Sequence, residues 1–373
     1  MKTTKLMIAA AAMAVISLSG CADDEPLSVN THTTQGDAIS FRPAIGSRAS
    51  EVTNANLQSF YVTSFLGTEP YFQNIAYTKG ADGFYNSAVP YYWPVDNTPL
   101  DFYAFSPSLS EIFPDNIGSE DDDYFDDSDD GGLVMTATEK QLQNFRVADS
   151  IKDQVDLITS YGQGTKKANE TAGLELTFGH RLSQIELQAK SENKQYTFKV
   201  IGMRIGRAQI KGTFDFTTSQ WTIDLWHETA VFESRCDTVT LAATPVSIMG
   251  DAGNAMLIPQ TLTPWNHSGD PDNAARGAYL SVLVQITATD TGTRFFPSAT
   301  DTKRTYGWAS IPISGTWEAG KKYVYILDFT NGAGYDDPDD PNPGKPIFGD
   351  PIKFTVNVEK WTDADTPTPM PVK

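Results

Sequence analysis

The sequence predicts an all-β protein of the β-sandwich class, and three observations carry that prediction. Short segments alternate apolar and polar residues with period two, turn-forming clusters separate them, and no strand–helix rhythm of a parallel α/β fold appears. Leu174, Leu176 and Phe178 alternate, as do Ile185, Leu187 and Ala189. Leu280, Val282, Val284 and Ile286 repeat the pattern, followed by Tyr323, Tyr325, Leu327 and Phe329. Successive side chains of a strand point to opposite faces, so this period suits a half-buried sheet. Clusters of Gly, Asn, Asp and Pro supply the turns between segments. One modest helical candidate lies around Glu139 to Val147.

The N-terminus predicts export. Lys2 and Lys5 precede an apolar run from Leu6 to Leu18, about 13 residues long. A membrane-spanning helix needs about 20, so 1–20 reads as a removable signal peptide. Leu18-Ser19-Gly20-Cys21 resembles the lipobox of bacterial lipoproteins, which implies acylation of Cys21 and a lipidated tether over 21–36. Each buried CH₂ of an acyl chain adds about 0.8 kcal/mol, so several chains anchor stably. Asp23, Asp24 and Glu25 resemble the signal that sends lipoproteins of Bacteroides-like bacteria to the outer face of the outer membrane. Cys21 and Cys236 are the two cysteines, and lipidation of Cys21 leaves no intramolecular disulfide. Cys236 then reads as a small core or surface residue.

The 373 residues, 40% of them apolar, predict about two domains with proper cores. A net charge of −19 argues against nucleic acid or an anionic membrane surface as partner. A linker is expected at Tyr161 to Ala172, between an N-terminal β-sandwich over 37–165 and a C-terminal one over 170–361. Two acidic stretches stand out. Glu120 to Gly132 reads as a surface loop, and Gly332 to Pro346 as a proline-stiffened hinge, assigned to 332–349. A final strand over 351–361 and a proline-rich tail over 362–373 follow.

Several phrases, in order, resemble the fimbrillin family of Bacteroidales, the lipoprotein precursors of type V pili. They are LQSFYVTSF (Leu57 to Phe65), YYWPVDNTPLDFYAFSP (Tyr91 to Pro107), LELTFGHRLSQIELQAK (Leu174 to Lys190), MLIPQTL (Met256 to Leu262) and WEAGKKYVYIL (Trp317 to Leu327). The resemblance implies two tandem transthyretin-like β-sandwiches. It also implies an assembly mechanism, in which an arginine-specific protease removes the lipid and first strand together. The open groove is then filled by a strand from the next subunit's C-terminal region.

On this pattern Arg48-Ala49, shortly after Ile39 and Phe41, is the expected cleavage site; Arg42 precedes Pro43 and is a poor one. Ile352, Phe354, Val356 and Val358 put apolar side chains on one face of the expected donor strand, opposite Lys353, Thr355, Asn357 and Glu359. The alternative is that this strand closes its own domain. The expected partners are other fimbrillin subunits joined head to tail, the outer membrane through lipid, and a surface ligand of unspecified kind.

Catalytic signals are sparse. His32, His180, His227 and His267 form no metal-binding pattern, and no nucleophile elbow, phosphate loop or dinucleotide fingerprint occurs. His180, in the FGH phrase, is expected to pack or to hydrogen-bond at a strand end. Asp126, Ser128 and Asp130 have the oxygen spacing that opens a calcium loop, but Ala137 stands where the bidentate glutamate belongs. A solvated acidic loop is the expectation there, calcium its alternative, and no other cofactor is expected. Asp149-Ser150-Ile151 and Asp237-Thr238-Val239 resemble O-glycan attachment sites of Bacteroides-like bacteria at Ser150 and Thr238. A non-enzymatic pilus subunit is the resulting expectation. Its rivals are a permanently lipidated module that binds glycan or protein, for which Tyr91, Tyr92 and Trp93 suit sugar stacking, and a surface hydrolase of unrecognised site.

Overall fold

The protein was analysed as a computed structural model, which describes residues 38–45, 56–114, 131–223, 229–266, 276–338 and 343–360. In the N-terminal part, β1 (Phe41–Ile45), β2 (Ser59–Leu66), β3 (Glu69–Lys79), β4 (Tyr85–Ser87) and β5 (Leu100–Ser106) come first. They are followed by a hairpin of β6 (Gly132–Met135) and β7 (Lys140–Arg146), then β8 (Ile158–Gly164) and β9 (Leu174–His180). Seven of these close on themselves in the order β1-β4-β3-β2-β5-β8-β9. Phe41, Phe60, Val62, Tyr77, Phe102, Leu176 and Phe178 fill the interior.

The run LDFYAFS of β5 is apolar almost throughout because both faces are covered. Phe102 and Ala104 face the interior of the closed sheet, whereas Tyr103 and Phe105 belong to the second core. Against that outer face lies a four-stranded sheet in the order β13-β12-β7-β6, where β10 (Ser183–Lys190), β11 (Tyr196–Gln209), β12 (Lys211–Asp215) and β13 (Gln220–Ile223) continue the chain. Phe105 meets Phe216 just beyond β12, with ring centroids 6.1 Å apart.

The remaining strands are β14 (Thr229–Thr240), β15 (Val246–Ser247), β16 (Ala255–Leu257), β17 (Thr261–Leu262), β18 (Tyr279–Ala288), β19 (Arg294–Phe296), β20 (Gly307–Pro312), β21 (Gly315–Thr316), β22 (Lys321–Asp328), β23 (Tyr335–Asp336) and β24 (Lys353–Lys360). Two sheets, β15-β10-β22-β24 with β16 on β10, and β14-β11-β18-β20-β23 with β19 on β18, share one core. Its members include Leu187, Tyr325 and Leu327 from the first sheet and Ile205, Val282 and Val284 from the second. The class is all-β, as its alternation predicts.

Three segments differ from expectation. Lys140–Arg146, the helical candidate, is a strand. Leu142 and Phe145 are buried three residues apart because Asn144 adopts φ 53°, and only two steps of β12, from Phe214 to Gly212, match those three. A bulge of this kind inserts a residue and breaks the alternation.

The expected linker contains the end of β8, and β9 beyond it pairs with β8 and β1. The chain passes to the second core only at Arg181 and Leu182, and all described residues lie in one compact unit, 36–373. Gly164 is there because a side chain would strike Trp93, Asn169 and Leu174, so this glycine marks close packing instead of a joint.

The acidic hinge is a docked hairpin. Tyr335 bridges Pro346, Gly332 bridges Gly349, and β23 extends the β20 edge. Asp337, 2% exposed, accepts a hydrogen bond from Ser281 Oγ at 2.8 Å and lies 3.3 Å from Ser310 Oγ. Arg204 Nη1 stands 3.5 Å from its other oxygen, with the guanidinium 3.9 Å above the Trp308 ring. A buried carboxylate needs such partners.

Replacing Asp337 by Ala is expected to destabilise the protein by about 2 kcal/mol, since it strips a buried hydrogen-bonded group of its partners. Urea unfolding would measure the loss. Limited proteolysis between Pro338 and Gly344 should accelerate in parallel.

Candidate functional site

The two terminal strands are the chain's candidate working parts. β1 runs parallel to β9, with Phe41 opposite Leu174 and Ile45 opposite Phe178. On its other side a single antiparallel pair, Phe41 with Tyr85, joins it to β4. β1 therefore bridges two strands that do not otherwise pair, and closure of the sheet depends on it.

Its seat extends upstream. Ile39 N–H donates to Tyr91 O at 2.7 Å, and Leu174 N–H donates to Ser40 O at 2.9 Å. Phe41 is fully buried, with ring centroids 4.7 Å from Tyr77, 5.2 Å from Phe102 and 5.9 Å from Phe60, all edge-on. Ile39 is buried as well. Arg42 faces outward opposite Glu175 and over the Phe84 ring. Such edge-to-face pairs add about 0.5–1.5 kcal/mol each to simple burial. Withdrawal of β1 would expose unpaired main-chain groups and an aromatic socket together.

β24 is differently held. It pairs antiparallel with β22 of its own chain along its full length, from Asp328 opposite Lys353 to Lys321 opposite Lys360. It is an edge strand of its sheet. Leu327, Tyr325 and Tyr323 are buried, but their partners Phe354, Val356 and Val358 sit at the rim of the core. Phe354 remains 36% exposed. Ile352, just before the strand, is buried beside Gly334 of the acidic hairpin. Most of the attachment is thus a backbone ladder, whose bonds net about 1 kcal/mol each.

Other predicted residues fall in varied surroundings. Cys21, Arg48, Ala49, Asp126, Ser128 and Asp130 lie outside the described residues, as do His32, His227 and His267. Among the described residues no three His, Cys, Asp or Glu side chains gather as a metal site. Ser150 is half-buried ahead of the short turn Ile151–Asp153, and Thr238 is exposed on β14. Cys236 is half-buried, and desolvation together with Asp237 pushes its thiol pKa up. Trp93 is buried in the first core, which removes it from a sugar-stacking role, while Tyr92 is exposed.

The sequence gave no hint of one pair: His180 Nδ1 lies 2.9 Å from Asp156 Oδ1, both buried, where β9 ends. Nothing in the local pattern around Asp156 marks it, because the partner is 24 residues away. Trp317 Nε1 donates to the Tyr325 hydroxyl at 2.9 Å inside the second core, and burial pushes that hydroxyl's pKa up to about 12.

Phe41→Ala is expected to cost about 3–5 kcal/mol, as for other buried phenylalanines, measured by chemical unfolding. Amide exchange along β24 is expected to run well ahead of that in β11 and β18, because strands with little buried apolar surface open locally.

The fimbrillin-like family profile matches residues 44–361. No curated protein matches the chain. A fimbrial protein from Bacteroides vulgatus superposes with a TM-score of 0.57 at 14% identity, covering 87% of this chain and 99% of that one. A candidate cell adhesion protein from Parabacteroides distasonis gives 0.49 at 12% identity over 87% of this chain and all of that one. Another from Bacteroides uniformis gives 0.46 at 16%, covering 88% of this chain and 100% of its own. The first shares the fold, and the profile spans most of the sequence: the chain belongs to the fimbrillin-like family.

Proposed function

We propose that this chain is the precursor of a pilus subunit, exported as a lipoprotein through Cys21 and matured by cleavage between Arg48 and Ala49. Subunits then join by strand exchange, the C-terminal strand of one entering the seat that β1 leaves in the next. The carrying observation is that β1, a short segment just upstream of Arg48, is what closes the N-terminal sheet. A cut there would separate the lipid and the closing strand from the rest in one step.

Membership of the fimbrillin-like family supports the pilus assignment and a structural, non-enzymatic role. The edge position and shallow burial of β24 support its use as the donated strand. Head-to-tail insertion does not close on itself, so it propagates as a filament. Until cleavage the subunit would stay on the outer membrane, its seat filled by its own β1. Thr238, exposed on β14, and Ser150 are the proposed O-glycan positions on the mature surface.

Unboiled gel separation of surface protein, with mass spectrometry of each band, tests this reading. A detergent-resistant ladder whose subunits begin at Ala49 is the expected result. A single monomer band beginning at lipidated Cys21 would overturn it and favour a permanently anchored binding module.

A further inference from the structure

We infer that the donated strand enters the next copy in one register, with Phe354 in the socket of Phe41 and Ile352 in that of Ile39. This rests on the strand-exchange reading above and adds the alignment and the anchoring side chain. The partner is a second copy of the same chain.

The first support is the match between the two strands. Ile39-Ser40-Phe41-Arg42-Pro43-Ala44-Ile45 and Ile352-Lys353-Phe354-Thr355-Val356-Asn357-Val358 carry the same order of residue types. Isoleucine, a polar residue, phenylalanine, a polar residue and an apolar one recur in step, and each stretch ends in a β-branched aliphatic. In β1 this order reflects its surroundings, since Ile39 and Phe41 are buried whereas Arg42 is exposed.

The alignment excludes its neighbours. A one-residue slip would turn Phe354 to solvent and Lys353 or Thr355 into the aromatic socket. A two-residue slip would place Ile352 or Val356 among Phe60, Tyr77 and Phe102. Either is smaller than phenylalanine and would leave a cavity beside three rings.

The second support is the contrast in burial. Phe354 is 36% exposed against its own sheet, whereas the Phe41 socket buries its occupant completely. Ile352 leaves one buried position, beside Gly334, for another of the same kind at Ile39. The exchange thus preserves the isoleucine's burial and improves that of the phenylalanine.

Main-chain chemistry agrees. The contacts that Ile39 and Ser40 make with Tyr91 and Leu174 use backbone atoms alone, which Ile352 and Lys353 also carry. Val356 has the N–H that Pro43 lacks, so the incoming strand gives up no donor. Thr355 would stand opposite Glu175, in the place of Arg42. The acidic hairpin, pinned through Asp337, can remain docked while the chain swings from Asp350 and Pro351.

Disulfide trapping on cells making the full chain tests the register. In a Cys236→Ser background, Glu175→Cys is paired in turn with Lys353→Cys, Thr355→Cys and Asn357→Cys under mild oxidation. A disulfide requires Cα atoms within about 7 Å, so a two-residue slip is out of reach. Intersubunit dimers are expected with Thr355→Cys and only at background level with the other two. Phe354→Ala is expected to weaken assembly by about 100-fold or more, the equivalent of one buried phenylalanine, with little change in the monomer's melting temperature.

A ladder trapped mainly through Lys353→Cys or Asn357→Cys, or one indifferent to Phe354→Ala, would overturn the register and leave strand exchange standing. A disulfide formed within a monomer would overturn the choice of a second copy. Absence of any ladder in the unmodified protein would sink strand exchange and the register with it.

Discussion

A sheet that closes through one short strand depends on that strand for both of its edges. β4 and β9 do not pair with each other, and β1 satisfies the two at once while its Phe41 fills the space among Phe60, Tyr77 and Phe102. Main-chain pairing and aromatic packing therefore fail together if β1 leaves. Burial of an edge is a general requirement for sheet proteins. Here it is met by the most N-terminal described segment, immediately upstream of an arginine set among small residues. The remaining strands form a rigid frame whose main consequence for function is to keep that seat in shape.

The two ends of the chain are unequal in a way that gives this frame a direction. β1 is fully inserted, whereas β24 lies on the rim of its sheet with its phenylalanine only partly covered. A strand attached mostly by backbone bonds can be exchanged at small net change, because the same bonds are remade in another sheet. Apolar side chains then decide the preferred location, and Phe354 has more to gain in the aromatic socket than at the rim. The acidic hairpin adds a constraint. It holds Asp337 against Ser281 and Ser310, so movement is confined to the residues that follow Gly349.

Much of the fold was legible in the sequence because alternation is a local signal. The runs at Leu174 to Phe178, Ile185 to Ala189, Leu280 to Ile286 and Tyr323 to Leu327 all fall within strands with those residues buried. The misread segments are those where pairing over a distance decides. Asn144 sets a bulge that makes Leu142 and Phe145 mimic helical spacing, and no local cue separates the two cases. The acidic hairpin reads as flexible from its Asp, Gly and Pro content; the partners that fix it come from β18 and β20, far away in sequence. In the candidate site, the face of β24 could be written down from its alternation, but its shallow burial could not. Burial depends on where β22 lies in the sheet.

Parallel pairing of β1 with β9 also fixes the polarity of any replacement. A strand entering the seat must run in the direction of β1 for its side chains to meet the same sockets, since reversal changes both the bond pattern and the lean of each residue. Donor and acceptor surfaces lie on different parts of the chain and are not self-complementary, so two copies cannot satisfy each other in a closed isologous pair through one such contact. Each added copy leaves one seat and one strand unused at the ends. Growth is then limited by the supply of subunits whose own β1 has been removed. In this arrangement the covalent attachment of β1 to the rest of the precursor does the regulating, because an intramolecular strand outcompetes any intermolecular one at ordinary protein concentrations.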